Sequence, residues 1–147
     1  MRYVLDTNVL VHAIRNSPTW QQINQQFDLL NPENQLFISF VTKVELFAIG
    51  LKNAWGEKKM QQLEQIMQQL TILGINDSLL QNYIEIDAYS NGKHPTKQLP
   101  TSSIKMGKHD IWIAATAAYI YADLITTDKD FNHLNHVFLR VHYIAPN

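Results

Sequence analysis

The chain has 147 residues, of which 46% are hydrophobic and 17% charged, with a formal net charge of −1. That balance predicts one domain, residues 1–147, with a real core, and excludes a disordered or strongly basic chain. There is no cysteine, which excludes disulfides and thiolate metal sites, and no apolar stretch reaches the roughly 18–20 residues that cross a bilayer. Arg2 stands alone and Asp6 interrupts the first apolar run, so no signal-type leader is read, and a cytoplasmic protein without a membrane partner is expected.

Tyr3-Val4-Leu5 is an apolar run without polar alternation, as a central strand covered on both faces requires. Val9, Leu10, Ala13 and Ile14 then recur at helical spacing to about Arg15, with Asp6-Thr7-Asn8 at the junction. In open α/β sheets the carboxyl ends of the strands are where ligands bind, which makes Asp6 the first candidate. Ser17-Pro18 pairs an N-cap with proline at the first helical position, and Trp20, Ile23, Phe27 and Leu30 carry the stripe of a second helix. Asn31 to Asn34 is a turn. Leu36 to Ser39 is a second buried strand, and it leads into a helix from about Val41 to Lys52.

After a break at Asn53 to Gly56, Met60, Leu63, Met67 and Leu70 mark a fourth helix, and Thr71 to Ile75 reads as strand three. Asp77 or Ser78 caps the next helix, with Leu80, Tyr83, Ile84 and Ala88 among its apolar residues. Ser90 to Gly107 shows no period and contains two glycines and two prolines, so it reads as a long loop, a feature usually tied to function. An alanine-dense helix spans His109 to about Ala122. Leu124 to Thr126 is strand four, Asp128 to Leu134 a short helix or turn, and Val137 to Ile144 a closing strand. Strand and helix alternate throughout, so the class is α/β with a mainly parallel sheet.

Glu45 is out of place, because it shares a helix face with Val41, Ala48 and Ile49; a buried salt bridge or a rotated helix also explains it. Asp6, Asp110 and Asp128 each suit a helix cap or a first helical turn when taken alone, and Asp130 suits a capping or supporting role. Their joint placement carries more. Asp6 and Asp128 follow ends of parallel strands, and Glu45 and Asp110 lie in first turns of helices, so all four are able to face one rim. At ~4 Å and an effective dielectric of about 20, each like-charged pair costs on the order of 4 kcal/mol. A cluster of this kind needs shared protons or a cation, and oxygen donors suit Mg²⁺ or Mn²⁺, ions that serve phosphoryl transfer.

Leu5-Asp6-Thr7-Asn8-Val9-Leu10, Val44-Glu45-Leu46, His109-Asp110-Ile111-Trp112-Ile113-Ala114-Ala115 and Thr126-Thr127-Asp128-Lys129-Asp130-Phe131 together resemble the PIN domain. Within it, they resemble the VapC-type ribonuclease toxins of bacterial toxin–antitoxin pairs. The resemblance implies a three-layer sandwich with a mainly parallel five-stranded sheet between helices, and a metal-dependent endoribonuclease that cuts single-stranded or looped RNA. Asp6, Glu45, Asp110 and Asp128 match the acidic quartet that holds the Mg²⁺ or Mn²⁺ cofactor, and Asn8 and Thr126 match positions that support it by hydrogen bonding. It also implies a homodimer and a cognate antitoxin that covers the site, for which the stripes of Trp20, Phe27, Phe47 and Leu51 are candidate surfaces beside their use in the core. His109 and the length of the loop from Asn91 to Lys108 depart from the common pattern.

No acid lies between Asp87 and Asp110, whereas Lys93, Lys97, Lys105 and Lys108 do, which makes this segment a candidate RNA-backbone contact. Asp87 reads better as an exposed helix end. Two rival readings exist. A haloacid-dehalogenase-like phosphatase wants a second aspartate where Asn8 stands, and a degenerate PIN-like module would bind RNA or protein without cutting.

Overall fold

Tyr3, Val4 and Leu5 belong to the middle strand of a five-stranded sheet in the computed structural model, which describes residues 1–147. The strands are β1 (Arg2–Leu5), β2 (Gln35–Ser39), β3 (Thr71–Leu73), β4 (Asp123–Thr126) and β5 (Val141–Tyr143). They lie in the order β3-β2-β1-β4-β5, and every neighbouring pair is parallel. The helices are α1 (Thr7–Arg15), α2 (Pro18–Phe27), α3 (Phe40–Lys52), α4 (Glu57–Gln68), α5 (Leu80–Ser90) and α6 (Lys108–Tyr119). The chain builds outward from β1 through β2 to β3, then returns to add β4 and β5 on the other side. The order therefore reverses between β1 and β4, and a crevice opens there at the carboxyl edge.

Alternation along β1 divides the core in two. Val4 points to one side with Leu124, Ile86, Tyr89, Phe131 and the buried face of α6. Tyr3 and Leu5 point to the other, with Ile125, Ile38, Ile23, Leu46 and Leu63. Burying each such side chain stabilises the fold by roughly 1.5–3 kcal/mol. Ala114, Ala115 and Ala117 of α6 are fully buried, and their small side chains let α6 lie close to the sheet. That closeness brings the first turn of α6 to the crevice.

The caps expected at Asp6 and Ser17 are present, and Ser39, read only as a strand residue, caps a third helix. Asp6 accepts from the Thr7 backbone N–H, Ser17 from Trp20 N–H with Pro18 at the first position, and Ser39 from Val41 N–H. The cap expected at Asp77 or Ser78 is different. Asn76 accepts from Ser78 N–H, and Asp77–Leu79 is a 3₁₀ turn leading into α5.

Several boundaries move. Strand β3 stops at Leu73, because it is an edge strand paired only to β2, and Ile75 is exposed. Helix α2 ends at Phe27 when Asp28 turns into the left-handed region at φ 50°. The helical register is lost there, so Leu29 is buried and Leu30, expected on the stripe, is exposed. Helix α5 buries Ile86 and Tyr89, leaving Leu80 and Ile84 exposed. The closing strand is shorter than expected. The N–H groups of Val137 and Phe138 donate back to the Leu134 carbonyl, curling the chain before pairing begins near Arg140.

The segment from Asn91 to Gly107 has neither helix nor strand, in line with the sequence reading, but it is tethered. Lys93 N–H donates to the Ala88 carbonyl at 2.8 Å and Ile104 N–H to the Ser90 carbonyl at 2.7 Å. His94 is the main anchor. Its Nδ1 accepts from the backbone N–H groups of Thr96 and Lys97, so its Nε2 carries the proton toward Glu85 Oε1 at 3.0 Å.

Candidate active site

Asp6 leaves β1 at the crevice and is 4% exposed. Its Oδ1 accepts from Thr7 N–H at 2.7 Å, and its Oδ2 accepts from the Thr126 hydroxyl at 2.7 Å. Thr126 ends β4, the strand paired beside β1, and is fully buried. Its hydroxyl oxygen also accepts from Asp128 N–H at 3.0 Å. One hydroxyl thus ties the ends of two neighbouring strands together and sets Asp128 on the same rim as Asp6. Asp128 Oδ1 in turn accepts from Asp130 N–H at 2.9 Å, which starts the 3₁₀ turn Lys129–Leu134.

The electrostatics link the remaining acids. Burial pushes the Asp6 carboxyl up to about 7, against the Thr126 hydrogen bond that lowers it; the charges of Asp110 and Asp128 raise it further. Asp110, in the first turn of α6, is pushed up to about 6 by burial first, then by Asp128, Glu45 and Asp130. Asp6 therefore feels Asp110 and Asp128, and Asp110 feels Asp128 and Glu45, across the rim. Asp6, Asp110 and Asp128 have no lysine or arginine partner in any ion pair.

Glu45 projects from α3 and its side chain is 30% exposed. Its Oε1 accepts from the Thr7 hydroxyl at 2.9 Å, and its Oε2 lies 3.7 Å from His109 Nδ1. No lysine or arginine pairs with it, so neither a buried salt bridge with such a residue nor a turned-away helix explains its position. The Thr42 hydroxyl, fully buried one turn before Glu45 on α3, stands 3.2 Å from that of Thr7. Sequence reasoning missed Thr7 and Thr42. The only signals were a hydroxyl directly after Asp6 and another three residues before Glu45.

Other expected residues fall differently. Asn8 is exposed at the second position of α1 and makes no hydrogen bond to the acids, whose donors are Thr7 and Thr126 instead. Asp130 is exposed and reaches the cluster through its backbone N–H and its charge. Lys108 is the first residue of α6, two before Asp110, and both it and Lys105 are exposed. Lys97 lies away from them. Its ammonium sits 5.8 Å over the Phe138 ring. Phe138 lines a cavity of about 370 Å³ with Met1, Asp123 and Arg140, where β1, β4 and β5 begin. Lys93 is exposed at the end of α5. Asp87 accepts from the Asn91 side chain at the end of the same helix, outside the cluster.

As the side chains stand, no group of three or more histidines and acids is arranged to hold a metal ion, and mutual repulsion favours splayed carboxylates. The donor chemistry nevertheless fits a hard divalent ion. It consists of oxygens alone, one carboxylate is almost wholly buried without a cationic side chain, and two carboxyls are raised toward neutrality by burial and by their neighbours.

A wholly parallel sheet of order 3-2-1-4-5, with an acidic rim where that order reverses, defines an α/β protein of the PIN architecture. The chain belongs to the PIN domain family, whose model matches residues 3–137. It is 29% identical over 139 residues to Ribonuclease VapC1 of Haemophilus influenzae, covering 91% of this chain and 92% of the relative. It is 26% identical over 140 residues to Ribonuclease VapC2 of Rickettsia felis, covering 95% and 96%. Among solved structures, VapBC-1 from nontypeable Haemophilus influenzae superposes with a TM-score of 0.69 at 26% identity, over 97% of this chain and 98% of that one. The Rickettsia felis VapBC2 complex, bound to a promoter DNA fragment, superposes with a TM-score of 0.75 at 23% identity over the same shares, and supports the fold.

Proposed function

We propose that the chain, read as a single domain over residues 1–147, is an endoribonuclease that hydrolyses RNA phosphodiester bonds with Mg²⁺ or Mn²⁺. Asp6, Glu45, Asp110 and Asp128 would hold the ion. The observation that carries this is the pair of carboxyls at Asp6 and Asp110, raised to about 7 and about 6 at the crevice with no lysine or arginine paired to either. A bound divalent ion supplies Lewis acidity, activating water and neutralising charge on the phosphate.

The chain's own groups do the rest. Thr126 and the Thr7 N–H orient Asp6, and Thr126 also fixes the backbone of Asp128. Asp110 meets no hydrogen-bond donor that would lower its carboxyl, so it is the acid most free to adjust or to carry a proton. Lys108, in the first turn of α6 with Asp110, and Lys105 and Lys93 in the segment before it supply positive charge for an RNA backbone. Lys97 serves the same end only for a strand that reaches the far side of the loop.

The relatives named VapC and the VapBC complexes support a role as the toxin of a toxin–antitoxin pair, with an antitoxin as partner; the same reading makes the substrate cytoplasmic RNA and the working form a homodimer. Of the candidate partner surfaces, Leu51 is 84% exposed, and on α3 it continues the exposed apolar residues Phe40 and Val44. Phe27 instead packs against Tyr3 and His142. RNA cleavage assayed with Mn²⁺, Mg²⁺ and EDTA, for the wild type and Asp6→Asn, tests the enzymatic reading. Cleavage that survives both EDTA and the substitution overturns the divalent-ion site, and absence of cleavage under every condition leaves the degenerate binding module as the better account.

A further inference from the structure

Thr7 touches both acids of one half of the rim. Its backbone N–H donates to Asp6 Oδ1 and its hydroxyl lies 2.9 Å from Glu45 Oε1. A hydroxyl has one proton to give, and an ionised carboxylate only accepts. The Thr7 proton is therefore committed to Glu45. The Thr42 oxygen, 3.2 Å from that of Thr7, must then be the donor in the contact between the two hydroxyls. Thr42 is fully buried and Thr7 nearly so, so no solvent competes for these protons.

We propose that Thr42 and Thr7 form a directed relay, Thr42 to Thr7 to Glu45, which locks Glu45 at a fixed separation from Asp6 and leaves Glu45 Oε2, which accepts no hydrogen bond, to face the divalent ion. Thr7 and Thr42 are positioning residues in this account. The relay joins three elements, since Asp6 follows β1, Thr7 opens α1, and Thr42 and Glu45 sit on α3. It depends on two buried hydroxyls. Without Thr42, the Thr7 hydroxyl keeps its acceptor but loses the donor that fixes its rotamer. Without Thr7, Glu45 loses its anchor, and its longer side chain is free to swing toward solvent or His109.

The proposal rests on the divalent-ion reading, and the test separates the two. Mn²⁺ binding to the free protein is measured by calorimetry, without RNA, for the wild type, Asp6→Asn, Thr7→Val, Thr42→Val, the double valine variant, Thr7→Ser and Thr42→Ser. Groups that hydrogen-bond a ligand rather than the ion typically change metal affinity by 10–100-fold, so each valine variant is expected to weaken Mn²⁺ binding by about tenfold. The serines keep the hydroxyl and restore binding. Because the two groups act in series, the double variant binds no more weakly than Thr7→Val alone. Wild-type affinity in Thr42→Val, or losses that add in the double variant, overturns the relay while leaving the ion site intact. A wild type that binds no Mn²⁺ overturns both. Should Thr7→Val fail to fold, Thr42→Val against Thr42→Ser still decides the matter, since valine replaces a buried hydroxyl with a methyl of similar size.

Discussion

The two halves of the acidic rim are built differently. On the side of α1 and α3, Asp6 and Glu45 are gripped by Thr7 and Thr126, with hydrogen bonds of 2.7–2.9 Å on three of their four oxygens. On the side of α6 and the turn after β4, Asp110 has no such donor, and Asp128 is held through one oxygen by Asp130 N–H. The gripped half rests on buried hydroxyls, and Asp110 of the loose half shares the first turn of α6 with the exposed Lys108. A site needs both kinds of group. Fixed ligands lower the ordering cost of binding an ion, and an adjustable one follows the charge as it shifts onto a leaving oxygen.

The sharpest way to break this contrast is Asp6→Asn. Asparagine keeps the helix cap, so the fold is expected to persist while RNA cleavage drops more than about 100-fold, beyond the range typical of groups that only orient a metal ligand. Retained cleavage with an unchanged melting curve would remove Asp6 from the chemistry. Thr126→Val comes next. It strips Asp6 Oδ2 of its donor and leaves Asp128 N–H without its acceptor, so a stability loss of about 1–3 kcal/mol is expected by denaturant titration, with cleavage falling about tenfold or more.

The pH dependence probes the repulsion itself. Asp6 and Asp110 have folded-state values near 7 and 6, above the ordinary aspartate value of 3.8. The folded state therefore holds protons that the unfolded chain has released. Without divalent ions, stability is expected to be greatest near pH 4 and to fall as pH rises to about 7. Asp110→Asn should flatten the part of that slope below about pH 6 and raise the melting temperature at neutral pH. A melting temperature that rises steadily between pH 4 and 7 would contradict it. Added Mn²⁺ should reverse the loss above pH 6, because the ion competes with protons for the same oxygens.

The smallest effect belongs to the lysines. Charge reversal of Lys105 and Lys108 is expected to weaken RNA binding uniformly across sequences. It should also reduce the logarithmic salt slope by about 0.7 for each single-strand phosphate that is no longer neutralised. Charge reversal of Lys97, which sits over Phe138, is expected to matter less. Equal effects at all three positions would mean that the RNA wraps around the loop to the amino ends of the strands.

Much of the molecule was legible in the chain. The apolar run at Tyr3 to Leu5, the helical spacing after it and the alanines from Ala114 to Ala118 determine a buried parallel strand, its helix and a close helix–sheet contact by local periodicity alone. The positions of Asp6 and Asp128 after strand ends and of Asp110 in a first helical turn were visible for the same reason, whereas Glu45, also expected in a first turn, lies in the second turn of α3 because that helix begins at Phe40. What sequence spacing does not encode is distance between residues far apart in the chain. Asn8 follows Asp6 by two and was expected to support it, yet helix α1 leaves it exposed. Thr126, 120 residues away, supplies the hydrogen bond. Thr42 had no sequence signal beyond its spacing from Glu45, and acquires a role only because α1 and α3 pack side by side. The lysine segment looked continuous along the chain, but His94 folds it back along α5 and separates Lys97 from Lys108. Local pattern set the elements and named the acids. Only the assembled fold, through the pairing of β1 with β4 and the packing of α1 on α3, decided which hydroxyls would hold them and which carboxyls would be left to repel.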